Sequence, residues 1–218
     1  MHIADGILPV EVVAGGAVAS VALLALTVPR LSDAQAPKTA VMTAALFVGS
    51  LLAIPIPPTS VHLTLIGLAG ALLGWSAFPA VAIAVALQTA LLHHGGITTL
   101  GVNVATMGTG ALVAGGVFRL RGAGVHPGRD ARWAAFAALC GISVSLALYA
   151  GALLSAGEAL RGVAYVAFGA HAPVVFLEAM VAGSAVAFVA KVRPRILGAR
   201  AAERPAAAAR SEVTEPVA

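Results

Sequence analysis

The chain opens Met1-His2-Ile3-Ala4-Asp5-Gly6-Ile7-Leu8-Pro9 and continues Val10-Glu11-Val12-Val13-Ala14-Gly15-Gly16-Ala17-Val18-Ala19-Ser20-Val21-Ala22-Leu23-Leu24-Ala25-Leu26-Thr27-Val28 before its first basic residue, Arg30. From Pro9 onward this is roughly 20 nearly uncharged residues, the length a helix needs to cross a hydrocarbon core. It does not resemble a cleavable leader, because no Lys or Arg precedes the apolar run while Asp5 and Glu11 do. The expectation is an uncleaved first membrane helix. The remainder agrees: 218 residues, 60% hydrophobic and 10% charged, with mean hydropathy +0.97. A soluble domain carries about 25% charged residues. Cys140 stands alone in an apolar run, which excludes a disulfide framework and a cysteine metal site.

Seven apolar stretches follow one another, at 9–28, 39–54, 61–75, 78–92, 98–118, 133–156 and 172–192. The third and fourth are short, about 15 residues each, against the roughly 20 needed to span. Of the 13 basic residues, all but Arg161 fall in connections that alternate to one side. Basic residues are retained on the cytoplasmic side. The sequence therefore predicts an all-α integral membrane protein, a bundle of about seven transmembrane helices over 1–197, with the N-terminus outside and the C-terminus cytoplasmic. Residues 198–218, rich in Ala, Arg and Glu, are expected to form a polar, disordered cytoplasmic tail. The high isoelectric point is thereby assigned to membrane orientation and not to nucleic acid. In the first span, Gly15 with Ala19 and Gly16 with Ser20 form small-residue faces, suited to packing within the chain or to docking another membrane subunit.

This orientation puts His2, His62, His93, His94 and His171 at outward ends, with only His126 inward. A histidine directly after a free amino terminus is a chelator. The Met1 amine, the His2 backbone nitrogen and the His2 Nδ1 close a five- and a six-membered ring around one cation and leave a fourth position open. Displacing the amide proton needs a polarising d-metal such as Ni(II), Cu(II) or Co(II), and Mg(II) or Ca(II) do not suffice. Pro55-Ile56-Pro57-Pro58-Thr59-Ser60-Val61-His62 is a stiff connection that restrains His62. That suits a fourth ligand, or an interfacial imidazole held by a backbone carbonyl. His93-His94-Gly95-Gly96 makes a tight turn; there His94, together with Asn103 and Ser60, is a candidate to hydrogen-bond the ligating groups from behind. Gln88, Asn103 and Glu178 are polar residues inside apolar spans, and such residues are functional suspects. The chain has no Gly-x-x-x-x-Gly-Lys-Ser/Thr phosphate loop, no His-Glu-x-x-His signature and no redox cysteine pair. It is therefore not expected to be an enzyme or to hydrolyse ATP by itself.

Assembled, these residues resemble the CbiM/NikM family, the substrate-binding components of energy-coupling-factor transporters for cobalt or nickel. The resemblance covers about 1–197. It rests on Met1-His2-Ile3-Ala4-Asp5-Gly6-Ile7-Leu8-Pro9, on Ser60-Val61-His62-Leu63-Thr64 with Gly67-Leu68, on His94-Gly95-Gly96-Ile97-Thr98-Thr99-Leu100-Gly101 with Asn103, and on His171-Ala172-Pro173 with Glu178. It implies Ni(II) or Co(II) as transported substrate and no organic cofactor. The ion would sit in a near-planar nitrogen site made by Met1, His2 and His62. The implied partners are a transmembrane coupling subunit, two cytoplasmic ATPases, a small accessory membrane protein and the lipid of a bacterial or archaeal plasma membrane. In two places the sequence departs from the family pattern: Asp5 stands where many members carry Glu, and Leu65-Ile66 replaces a Gly-Thr pair. The competing reading is a stand-alone transition-metal permease, with Gln88, Asn103 and Glu178 lining its path.

Overall fold

A helix pairs all its interior backbone groups within itself, which is why apolar sequence in lipid becomes helix. The structure, a computed structural model, describes residues 2–56 and 59–197; Met1 and the expected tail lie outside the described residues. Among the described residues there are seven α-helices: α1 Val10–Thr27, α2 Ala36–Gly49, α3 Ile66–Leu73, α4 Ala77–Leu92, α5 Leu100–Arg119, α6 Pro127–Ser155 and α7 Arg161–Val192. Among the described residues, five segments are long and apolar enough to cross a bilayer, namely Val10–Arg30, Ile66–Leu92, Leu100–Arg119, Pro127–Ser155 and Arg161–Val192. The protein is a multi-pass helical membrane protein.

Several boundaries differ from the sequence reading, each for a local reason. The expected span 39–54 ends at Gly49, because Ala53–Ile56 (β1) and Thr59–His62 (β2) pair as an antiparallel hairpin, Ala53 opposite His62 and Ile56 opposite Thr59. The expected span 61–75 shrinks to the eight residues of α3. At 1.5 Å per residue α3 is only about 12 Å long and the 14-residue α2 about 21 Å, against a core of about 30 Å. Neither crosses by itself. α6 begins at Pro127, a proline in its first turn, six residues earlier than expected. α7 begins at Arg161 and runs through Pro173, whose lost hydrogen bond the 32-residue helix tolerates.

The apolar segment Ile66–Leu92 is not one straight crossing. A continuous helix of 27 residues would separate its ends by about 40 Å. Yet the ring of His62, four residues before α3, lies 5.9 Å from that of His94, two residues after α4. The chain reverses in the single 3₁₀ turn Gly74–Ser76, where Gly74 takes φ +60°, a conformation that favours glycine. α3 and α4 are thus an antiparallel pair.

The bundle has two unlike poles. His2, His62 and His94 gather at one. At the other, Arg30 and Arg119 meet at Trp75, Arg121 donates to the Leu197 carbonyl (2.6 Å) and Lys38 to the Ile196 carbonyl (3.2 Å). Residues 2 and 197 are at opposite poles. Between them, α5 packs against α1, α3, α4 and α6, and the helices approach through small residues. A Cβ on Gly70 of α3 would collide with the Ala111 carbonyl and lie 2.8 Å from Ala114 Cβ, and one on Gly110 of α5 would lie 2.6 Å from the Gly141 carbonyl of α6. Gly16 of α1 likewise abuts Val102, and Ser20 donates to the Gly101 carbonyl (2.6 Å), so that this small-residue face serves packing within the chain. Gly15 of the other face meets nothing within 4 Å.

These contacts give a matched pair of variants. Gly70→Ala should destabilise the detergent-solubilised protein by about 1–3 kcal/mol through overpacking. Gly116→Ala, also in a helix but with nothing within 4 Å, should be neutral or slightly stabilising because it gains helix propensity. Thermal melting of the two proteins side by side checks this; equal behaviour would show that the α3–α5 approach is not as close as described.

Candidate metal centre

Residues 2–9 do not trail from α1 but fold back onto the start of α5. The carboxamide of Asn103 holds the backbone of Ile3 at both groups. Its Oδ1 accepts from the Ile3 N–H (2.9 Å) and its Nδ2 donates to the Ile3 carbonyl (3.0 Å). The Thr99 hydroxyl donates to the same carbonyl (2.6 Å), and Ile3 is 1% exposed. Asp5 makes a second anchor. Its carboxylate accepts from the Ile97 N–H (3.0 Å), the Thr98 N–H (2.8 Å) and the Thr98 hydroxyl (2.5 Å). These donors lie in the turn just before α5, whose N-cap is Thr99, so Asp5 pins that turn and adds favourable negative charge near the helix N-terminus. The Thr98 hydroxyl chiefly holds the Asp5 carboxyl below its ordinary pKa.

The same docking explains the glycine pair. Gly95 has φ +85°, and a Cβ there would lie 2.8 Å from Asn103 Nδ2 and 3.3 Å from His2 Cβ. A Cβ on Gly96 would collide with the Asp5 carboxylate. His94-Gly95-Gly96 is therefore the floor on which the N-terminal segment lies.

His62 arrives from the other direction. The hairpin delivers it, and α7 fixes the chain just beyond it: Glu178 accepts from the Thr64 backbone N–H and from the Thr64 hydroxyl (2.8 Å). His62 is 2% exposed. Its Nδ1–H donates to the Leu63 carbonyl (3.3 Å), a tautomer in which Nε2 is the basic nitrogen. The His62 ring stacks on that of His2, with centroids 4.9 Å apart and planes 13° apart. His94 packs beside both, 6.0 Å from His2 and 5.9 Å from His62. Both ring nitrogens of His2, Nδ1 of His94 and Oε1 of Gln88 are buried without a hydrogen-bond partner among the described residues. Buried polar atoms are nearly always satisfied, which makes this cluster the candidate site. Burial holds the imidazoles of His2 and His62 well below their ordinary pKa, and that of His94 below it, so all three are neutral. A cleft of about 320 Å³, lined in part by His2, His93, His94, Gly95 and Tyr149, opens beside them.

The three rings form a compact triangle whose planes lie within 30° of one another. Among the described residues no three His, Cys, Asp or Glu side chains converge on an ion. Besides its ring, the His2 position offers a cation backbone nitrogen. Met1 lies outside the described residues, as does the side chain of Ser60, whose backbone pairs with Pro55. Other expectations are corrected. Asn103 bonds the backbone of Ile3 and not an imidazole. His93 is exposed, ending α4 at φ +55°. His171 lies within α7 and not at its start, buried on the side of the histidine pole, its Nδ1 bonded to the Ala167 carbonyl (2.6 Å) and its ring 6.3 Å from that of Tyr149, which lines the cleft beside His2. Thr99 and Thr64 had no assigned role; their only signal in the sequence is that they neighbour Asn103 and His62.

A helical membrane bundle with neutral imidazoles gathered at one pole is suited to a membrane protein that handles a transition metal. Residues 2–196 match the family described as cobalt uptake substrate-specific transmembrane region, the CbiM family, and the chain belongs to it. It is 33% identical over 199 residues to a putative metal transport protein of Haemophilus influenzae, covering 90% of this chain and 97% of that one. It is 32% identical over 215 residues to the cobalt transport protein CbiM of Sorangium cellulosum, covering 90% and 94%. A crystal structure of a transition metal transporter shares the fold with a TM-score of 0.75 at 24% identity, covering 88% of this chain and 93% of that chain.

Asn103→Ala leaves the Ile3 amide and carbonyl short of partners in a buried setting, at about 1–3 kcal/mol per group. Metal affinity of the purified protein, measured by calorimetric titration, should fall by roughly 10- to 100-fold while the protein still inserts in membranes. The histidines set a pH dependence. Their folded pKa lies below the unfolded value of about 6.5, so the unfolded chain binds more protons and stability decreases as pH falls below about 6.5. The melting temperature of the metal-free protein should be level above about pH 7 and decline below about 6.5; a decline starting well above that would contradict buried neutral imidazoles.

Proposed function

We propose that the chain captures Ni(II) or Co(II) at the extracytoplasmic face and delivers it inward as the substrate-specific subunit of an ATP-driven energy-coupling-factor transporter. The observation that carries this reading is the stacking of His2 on His62 at 4.9 Å, two imidazoles sixty positions apart held neutral at one buried pole. The ligands are the Met1 amine, the His2 amide nitrogen and Nδ1, and the His62 imidazole. His94 packs against the imidazoles, and Asn103 acts through the Ile3 backbone it holds. Family membership and the cobalt and nickel transport proteins among the relatives support the choice of substrate; they include a fused nickel transport protein NikMN of Rhodobacter capsulatus, 33% identical over 159 residues. Planar nitrogen ligation suits Ni(II) best, with Cu(II) a chemical competitor.

The concentration of Arg30, Arg119, Arg121 and Arg129 at the opposite pole supports an orientation with the histidines outside. With no phosphate-binding loop in the chain, the driving energy comes from partners: two cytoplasmic ATPases, a transmembrane coupling subunit and a small accessory membrane protein.

Titration with Ni(II), Co(II) and Cu(II) tests the site. A tag fused ahead of Met1 should abolish tight binding, a C-terminal tag should preserve it, and His62→Ala should weaken binding at least tenfold through loss of a ligand. Tight binding by the N-terminally blocked protein would refute the ligand set. Metal uptake by vesicles containing this chain alone would instead support a stand-alone permease.

A further inference from the structure

The arginine pole carries a second feature that metal capture does not use. Trp75, 43% exposed, sits at the α3–α4 reversal. The guanidinium carbons of Arg30 and Arg119 lie 5.0 and 5.7 Å from its ring centroid. Both arginines are exposed, and among the described residues neither has a carboxylate partner, although Arg30 donates to the Leu26 carbonyl of its own helix. Arg121 and Arg129, by contrast, are committed to Asp130 and to loop carbonyls. Two exposed like charges gathered at one tryptophan make a locally positive surface that favours an anion.

An apolar groove begins at the same place. Leu31, directly after Arg30, and Ala36 form its near end; Thr43, Phe47, Ile83 and Leu87 carry it along α2 and α4, enclosing about 470 Å³. Its near end adjoins the tryptophan turn, because Ser76 donates to the Gln35 side chain (3.0 Å). Nothing polar lines the groove except hydroxyls, and Thr39 and Thr43 turn theirs back onto Gln35 and Thr39 carbonyls (3.0 and 2.9 Å). A pair of uncompensated guanidinium groups on an interfacial tryptophan, continuous with an apolar groove along the membrane-spanning surface, matches the two halves of one molecule.

We infer that this pole binds an anionic phospholipid, its phosphate held by Arg30 and Arg119 at Trp75 and an acyl chain in the groove between α2 and α4. Charge complementarity selects the headgroup, and arginine suits phosphate because its planar fork can donate two bonds. The contribution of such a basic site is roughly a factor of five per arginine near the surface.

The test reconstitutes the full chain in nanodiscs of phosphatidylcholine with or without phosphatidylglycerol, and reads bound lipid by native mass spectrometry and stability by thermal melting. The wild type should retain phosphatidylglycerol and melt higher in its presence. Arg30→Gln with Arg119→Gln should weaken retention about 30-fold, and Ala40→Phe with Ala44→Phe, which fills the groove, should also lose it. All variants should still bind Ni(II) at the other pole, which shows that they are folded. Equal retention of the two lipids by the wild type would overturn the inference. So would retention unchanged in the arginine variant, or a thermal shift of the same size from inorganic phosphate, since that would leave the groove without a role.

Discussion

The structure depends on a side-chain amide standing in for a backbone one. Asn103 offers a donor and an acceptor in one plane and uses both on Ile3, as a neighbouring strand would. In a helical bundle there is no strand edge to receive an extended N-terminal segment, and its backbone groups would otherwise be buried unpaired. The pairing fixes register as well as position. A slip of one residue would exchange the alternating faces of the segment and turn His2 away from His62. Asp5 and Thr99 reinforce the same register from either side. Ordering a chain end costs about 1–2 kcal/mol of backbone entropy per residue, which these bonds and the burial of Ile3 offset.

The site is assembled from two irregular pieces, and each is held by a long helix. α5 supplies the clamp for residues 2–5, and α7 supplies Glu178 for the chain after the hairpin. The shortness of α2 and α3 follows from this. Chain that would have completed two crossings is spent on the hairpin that delivers His62. Leu65, at φ +54°, joins the pinned segment to α3 in a left-handed conformation that costs a non-glycine residue about 1–2 kcal/mol. That position is one of the two departures from the family pattern, and here the Leu side chain packs on the core in return.

Electrostatics divides the molecule along its axis. At the histidine pole burial removes charge, and the imidazoles stay neutral. At the arginine pole charge is kept, partly satisfied by Asp130 and by carbonyls and partly presented outward beside Trp75. One pole suits a cation that arrives with a demand for lone pairs, and the other suits the anionic surface of a membrane.

Taken alone, the sequence determined the membrane class, most of the helices and the clustering of basic residues, and it named candidates for the site, because hydropathy, charge placement and chelate geometry are properties of local chain. His2, His62, His94 and the glycine pair could be read that way. It did not determine the reversal at Gly74, since an apolar run of 27 residues has the same composition whether straight or folded back. Nor did it reveal the hairpin, which a proline-rich connection only permits. The partner of Asn103, the depth of His171 in α7 and the link from Glu178 to Thr64 were likewise decided by tertiary structure. Each joins groups from 4 to 114 positions apart, and which polar groups meet in an apolar interior depends on where neighbouring helices leave a donor or acceptor unpaired.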